Sequence, residues 1–186
     1  MAEKIILAVV GLAGSGKTEA TNYLIKKTGW PKVYFGDVTF DEMKLRGIEI
    51  NEANERSMRE ELRDTFGMGC YAIKSMPKIK ELFGNSSVII ESLYSWEEYL
   101  VIKDQFRTNF KVLAIFASPQ IRTVRMVARP VRPLTPEELQ SRDYSQIANL
   151  HQAGPIARAD WTIINENSME DLFLNIDKVL SILNAS

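Results

Sequence analysis

The sequence predicts an α/β protein: a parallel β-sheet with helices packed on both of its faces. Three observations predict it. Five short apolar runs recur along the chain without polar alternation, as strands buried on both faces require. The segments between them carry helix caps and helix stops. Strand followed by helix, repeated, is the pattern of parallel crossovers.

The first run is Lys4-Ile-Ile-Leu-Ala-Val-Val10, and it leads straight into the glycine-rich stretch Gly11–Thr18. A helical stretch, Glu19–Lys27, follows, and Gly29 stops it. The second run is Lys32-Val-Tyr-Phe35. The interval from Gly36 to Ser86 is too long for a simple crossover and holds two or three helices. One of them is Asn51–Phe66, where Glu52/Arg56 and Glu55/Arg59 are spaced for pairing at i,i+4. Gly67 and Gly84 read as stops of helices in this interval. The third run is Ser87-Val-Ile-Ile-Glu91. Ser95-Trp-Glu-Glu98 then opens a helix, with a hydroxyl at the N-cap and an acid three residues later. The fourth run, Lys111-Val-Leu-Ala-Ile-Phe-Ala117, is followed by Ser118-Pro119, which puts proline at the first helical position. A second excursion runs from Pro130 to Asp160, opened by Pro130, Pro133 and Pro136 and closed by Gly154-Pro155; Thr135-Pro-Glu-Glu138 caps a helix inside it. Trp161-Thr-Ile-Ile164 is the last run, and Ser168-Met-Glu-Asp171 caps the last helix. Excursions of this size at the carboxyl edge of a parallel sheet usually serve ligands.

Composition narrows the function. A chain of 186 residues with 45% hydrophobic and 25% charged residues fits one folded domain. Its formal net charge of −1 provides no field to attract nucleic acid or anionic membrane. The longest apolar run, Ile5 to Gly14, falls short of the roughly 20 residues of a membrane span, and no signal-peptide cleavage site follows it. Cys70 has no second cysteine to pair with, and His151 alone cannot complete a zinc cluster with it. A cytoplasmic enzyme or binding domain is the expectation.

Gly11-Leu-Ala-Gly-Ser-Gly-Lys-Thr18 fits G-x-x-x-x-G-K-[ST] in full, between an apolar strand and a helix. Glycines let the backbone curl so that successive N–H groups point inward at a phosphate, and the helix N-terminus adds partial positive charge. Gly11, Ala13, Gly14, Ser15, Gly16, Lys17 and Thr18 are the expected nucleotide-binding residues. Lys17 reaches the β- and γ-phosphates of a nucleoside triphosphate, and the Thr18 hydroxyl ligates Mg²⁺. Asp64-Thr-Phe-Gly67 also spells the D-x-x-G of a GTPase switch, but it follows Glu60-Glu-Leu-Arg63 rather than a buried strand, and reads as a helix stop.

Two acids stand where strands end. Glu91 is placed to hold Mg²⁺, directly or through water. Asp37 fits three roles: general base for an acceptor hydroxyl, ligand to a metal-bound water, or helix N-cap. From Gln105 to Pro136 the chain has no acid, yet it carries Arg107, Lys111, Arg122, Arg125, Arg129 and Arg132. Spacings of three and four put Arg122, Arg125 and Arg129 on one helix face, and an uncompensated arginine cluster suits triphosphate charge. Nucleic acid is disfavoured because no aromatic stacking platform accompanies the cluster. Arg142 is a weaker member of the set, and His151 reads as structural.

Taken together, Gly11–Thr18, Gly36-Asp37-Val38, Arg59-Glu-Glu-Leu-Arg63 with Phe66-Gly67, Ala117-Ser-Pro119 with Arg125 and Arg129, and Ala159-Asp160-Trp161 with Asn165-Glu-Asn-Ser168 resemble the nucleoside-monophosphate kinase group of P-loop phosphotransferases. That group includes adenylate kinase and dephospho-CoA kinase. The likeness is nearest to a largely archaeal dephospho-CoA kinase-like, nucleotide-kinase-like branch, and it spans almost the whole chain. It implies a five-stranded parallel sheet of order 2-3-1-4-5 in a single P-loop kinase domain over residues 1–186. The acceptor-binding region would be about 36–86 and the lid about 130–160. Arg125 would cover the donor base, Arg129 would act from the lid on the transferring phosphoryl group, and Asn165 would lie near the donor base. Two arginines of the group are replaced, by Phe40 three residues after Asp37 and by Tyr94 after Glu91. Lys44, Arg46, Arg56 or Arg59 could substitute, or the acceptor presents a hydroxyl, as it does to dephospho-CoA kinase.

The expected activity is therefore ATP- and Mg²⁺-dependent phosphoryl transfer to a nucleotide or nucleotide-like small molecule. Lys17, Asp37, Arg125 and Arg129 are its catalytic candidates, Arg132 a further one, and Thr18 and Glu91 its metal-holding residues. The expected partner is a small-molecule phosphate acceptor, with neither membrane nor nucleic acid, and the chain a monomer or homodimer. The alternative is a nucleotide-binding regulatory or assembly module without kinase activity.

Overall fold

The computed structural model describes residues 3–185. All five apolar runs form strands: β1 Ile6–Val10, β2 Lys32–Tyr34, β3 Val88–Glu91, β4 Phe110–Phe116 and β5 Trp161–Ile164. They pair in parallel as one sheet in the order β2-β3-β1-β4-β5. Helix α1, Lys17–Thr28, crosses from β1 to β2. The interval after β2 holds three helices: α2 Asp37–Leu45, α3 Glu52–Phe66 and α4 Cys70–Asn85. Helix α5, Trp96–Phe106, and a 3-10 turn at Arg107–Asn109 join β3 to β4. Between β4 and β5 lie α6 Pro119–Val127, α7 Pro136–Ala148 and the short α8 Ala153–Ala157; α9 Met169–Ala185 follows β5.

The unbroken apolar character of β1 follows from its place at the centre of the sheet. Ile6, Ala8 and Val10 point to one face, where with Val88, Ile90, Val112 and Ala114 they pack on Met43, Leu62, Ile79, Tyr99 and Ile102 of α2 to α5. Leu7 and Val9 point to the other, where with Ile89, Leu113 and Ile115 they meet Ala20 and Leu24 of α1 and Leu172 and Ile176 of α9. A small third cluster, Ala13, Met126 and Leu139, ties the loop after β1 to α6 and α7.

Most helix ends follow the local signals. Ser95 and Thr135 form full capping boxes with Glu98 and Glu138, and Ser168 Oγ accepts from the Asp171 N–H at 3.2 Å. Gly29 caps α1 in the left-handed conformation, and Gly67 stops α3, so Asp64–Gly67 is a helix end. Gly84 does not stop α4: it lies within the last turn, and Ser86 is the cap. On α3, Arg59 meets Glu55 as expected, but Arg56 turns to Glu60, because Glu52 is taken by Arg132 from the segment after α6.

Candidate active site

The loop after β1 is built to turn its N–H groups inward. Gly11, at φ 144°, lies against the Ile115 carbonyl so closely that a Cβ there would collide with it. Three carbonyls of the loop are bonded from outside, and a fourth by Lys17 of the loop itself. Gln152 Nε2 donates to Gly11 O at 2.8 Å, and Lys17 Nζ to Leu12 O at 2.8 Å. Arg122 Nη1 donates to Ala13 O at 3.1 Å, and Asn165 Nδ2 to Ser15 O at 2.8 Å. With the carbonyls of Gly11, Ala13 and Ser15 held outward, N–H groups of the loop are left to curl the other way, which is the geometry of an anion nest. Helix α1 begins at Lys17 with no side chain accepting from its first turn, so those donors are open as well.

Lys17 is half-buried in this loop. Its ammonium is pushed down to about 7, first by desolvation and then by the nearby charges of Arg142 and Arg122, with Glu91 and Asp143 opposing. Among the described residues the ammonium forms no ion pair, and it feels the positive charges of Arg142 and Arg122. A polyanion in the nest would relieve both.

The β1–β3 register sets Glu91 beside Val9, two residues before the loop. Lys32 reaches along the sheet edge to Glu91, Nζ to Oε2 2.6 Å, with its ammonium 5.7 Å from the centre of the Tyr34 ring. Asp37 is the first residue of α2 and is exposed overall; partial desolvation of its carboxyl and then the charge of Asp41 push its pKa up, while Lys32 opposes. Thr18 is exposed at the start of α1. Among the described residues no group of three or more acids, histidines or cysteines could cage a metal alone, while Thr18, Glu91 and Asp37 each carry a side-chain oxygen.

The arginine cluster divides. Arg122, only 3% exposed, makes a two-pronged ion pair with Asp143 of α7, at 2.8 and 2.6 Å, besides its bonds to Ala13 O and Ala117 O. The absence of acids in the neighbouring sequence had suggested an uncompensated charge; Asp143 supplies the compensation from another helix. Arg129 lies beyond the end of α6, whose last residue is Val127, so three arginines do not share one helix face. Arg132 is turned onto α3, to Glu52 at 3.0 Å and Glu55 at 3.6 Å. Arg125 stays half-buried with Nη1 unpartnered, and its charge reaches Glu166. Arg125, Arg129 and Arg142 form no ion pair among the described residues.

Asn165 is buried beneath Gly16, its amide spent on Ser15 O. His151 pairs with Glu97 at 2.9 Å at the turn between α7 and α8. Sequence reasoning missed Gln152, fully buried, and the strut role of Arg122 and Asp143. No local pattern marks a glutamine that meets a loop 141 positions away.

Fold and loop together define a kinase-like P-loop protein. A family model described as an AAA domain matches residues 10–141. A UPF0200 protein of Pyrococcus furiosus is 32% identical over 183 residues, covering 96% of this chain and 97% of the relative. The chain belongs to the UPF0200 family and carries its AAA-type domain. Among solved structures, a shikimate kinase from Bacteroides thetaiotaomicron is similar in fold with a TM-score of 0.61 at 13% identity, over 95% of this chain and 98% of that one. A gluconokinase from Sinorhizobium meliloti gives 0.59 at 12% identity, over 98% and 97%. Among the described residues no helix is long and apolar enough to cross a membrane.

Proposed function

We propose that this chain is an ATP- and Mg²⁺-dependent phosphotransferase acting on a nucleotide or nucleotide-like small molecule. One observation carries the reading: a nest with three outward-bonded carbonyls surrounds a lysine whose ammonium, among the described residues, has no carboxylate in contact and has arginines nearby. The loop fits ATP, since its glycines leave no room for side chains and its donors are open. Thr18 and Glu91 would hold Mg²⁺, which when bound neutralises charge between the donor phosphates. Lys17 grips the β- and γ-phosphates, Arg125 covers the donor base, and Arg129 and Arg142 close over the transferring group. Asp37, with its raised pKa, orients the acceptor or takes its proton. The kinase folds of the structural neighbours support the reading.

The test is ADP production from Mg-ATP against nucleoside monophosphates, nucleosides, dephospho-CoA, gluconate and shikimate, with Lys17→Ala and Arg142→Met beside the wild type. An acceptor should raise turnover at least tenfold, Lys17→Ala should abolish the rise, and Arg142→Met should lower kcat more than it raises KM for ATP. Tight ATP binding that no acceptor stimulates would instead favour a regulatory nucleotide-binding module.

A further inference from the structure

A buried donor on a permanently charged group is costly unless something accepts from it. Among the described residues two arginines carry one: Nη1 of Arg125, in the site above, and Nε of Arg63. Arg63 stands in the last turn of α3, half-buried. Its neighbours are spoken for: Arg46 pairs with Glu42 and Glu61, Arg56 with Glu60, and Arg59 with Glu55. Arg63 forms no ion pair among the described residues. Its guanidinium instead lies 4.9 Å from the centre of the Tyr71 ring. That ring is fixed, because the buried Tyr71 hydroxyl shares a 2.8 Å hydrogen bond with Thr39 Oγ1. A ring contact steadies the charge but accepts from none of the N–H donors, which remain for an oxyanion. The carboxylate that feels Arg63, Glu98, is occupied: its Oε2 accepts from the N–H groups of Tyr94 and Ser95, at 2.7 and 3.0 Å.

The placement is as informative as the missing partner. Thr39 is two residues past Asp37 on α2, and Tyr94 to Glu98 follow Glu91 at the end of β3. Arg63 is thus tied through Tyr71 to the helix that begins at Asp37, and its charge is felt by Glu98 on the segment that follows Glu91.

We propose that Arg63 is the anion-binding residue of the acceptor site, gripping a phosphate or carboxylate group carried by the molecule that receives the phosphoryl group. This rests on the phosphotransferase reading above. It supplies from α3, backed by Tyr71, the positive charge that Phe40 and Tyr94 do not.

Calorimetric titration with the donor site filled by Mg-ADP tests it. The probes are AMP, CMP and UMP against their nucleosides, and gluconate and shikimate against glucose. One anionic probe should bind at least tenfold more tightly than its neutral counterpart; whether it is a phosphate ester or a carboxylate names the source of the oxyanion. Arg63→Gln should weaken that probe at least tenfold without changing Mg-ADP affinity. Arg63→Lys, which keeps charge and stem, should lose less, and Lys80→Gln, at an exposed cation of α4, should lose nothing. The proposal falls if no anionic probe binds, if neutral counterparts bind as well, or if Arg63→Gln binds like the wild type. Turnover of the same proteins and probes with Mg-ATP in place of Mg-ADP separates the two readings. A probe bound through Arg63 but never phosphorylated keeps the anion site and removes the kinase, whereas an acceptor phosphorylated equally by Arg63→Gln does the reverse.

Discussion

Replacing Arg122 by methionine removes a side chain that joins three parts of the site. The guanidinium is 3% exposed, forks onto the Asp143 carboxylate at 2.8 and 2.6 Å, and donates to Ala13 O of the phosphate loop at 3.1 Å. Methionine fills much of the volume but leaves Asp143, 13% exposed, as an unpaired charge. Breaking a buried pair from one side costs about 3–5 kcal/mol. A domain's stability is about 5–15 kcal/mol, so the loss is a large share of it. At roughly 2–4 °C per kcal/mol for a chain of this size, Tm should fall by roughly 6–20 °C. Urea unfolding and calorimetry measure both. Arg122→Met with Asp143→Leu removes the pair together and should recover most of the stability, since an apolar replacement of a buried ion pair is often neutral. It should not recover ATP affinity, because Ala13 O still lacks its donor and the loop is free to turn. A single variant that stays within about 1 kcal/mol of the wild type would refute the strut. A stable variant that loses only ATP affinity would return Arg122 to direct phosphate contact.

Two further perturbations probe the fold around the site. Burial pushes the Glu98 carboxyl up to about 7, against the pull of its bonds to Ser95 and Tyr94. The unfolded chain therefore loses this proton first, and the stability contribution, full below the ordinary glutamate value, is lost as pH rises through about 7. Glu98→Gln keeps an acceptor for the two N–H groups, so it should flatten the pH dependence between 5 and 8 and stabilise at pH 8 by as much as about 3 kcal/mol; an unchanged pH profile of urea midpoints would contradict this. Gly11→Ala drives a Cβ into the Ile115 carbonyl at a left-handed φ, whereas Gly47→Ala, also at positive φ, meets nothing. The first should cost more than about 3 kcal/mol and abolish ATP binding, the second only about 1–2 kcal/mol, both read from urea melts. Equal costs would mean that the loop does not press on β4.

Signals that act within a few residues were legible in the sequence. The apolar runs marked all five strands. Strands β1, β3 and β4 lie inside the sheet with little solvent side to show polar alternation. The edge strands β2 and β5 keep exposed positions at Lys32, Thr162 and Ile164 and were marked by their aromatic and β-branched residues. The capping boxes at Ser95 and Thr135 and the glycine stop at Gly67 depend on bonds three or four residues apart. Gly84 misled because glycine also occurs inside helices, and here the Ser86 N–H closes the last turn. The phosphate-loop motif is likewise local, lying on one strand, one turn and one helix, although Arg122, Gln152 and Asn165 hold its carbonyls from far along the chain.

Partners were decided by the tertiary structure. Sequence shows that Arg122, Arg132, Lys32 and Arg63 are cations, but a side-chain charge is satisfied by whatever the fold brings within 4 Å. Asp143 came to Arg122 from another helix, Glu52 and Glu55 to Arg132 from the far excursion, and Glu91 to Lys32 across two strands. Among the described residues Arg63 forms no ion pair and lies against the Tyr71 ring. Gln152 found Gly11 across 141 positions. Chain proximity fixes backbone geometry, because its hydrogen bonds close over a turn. Which arginines remain free to bind a ligand is a long-range packing result, and only the folded chain decides it.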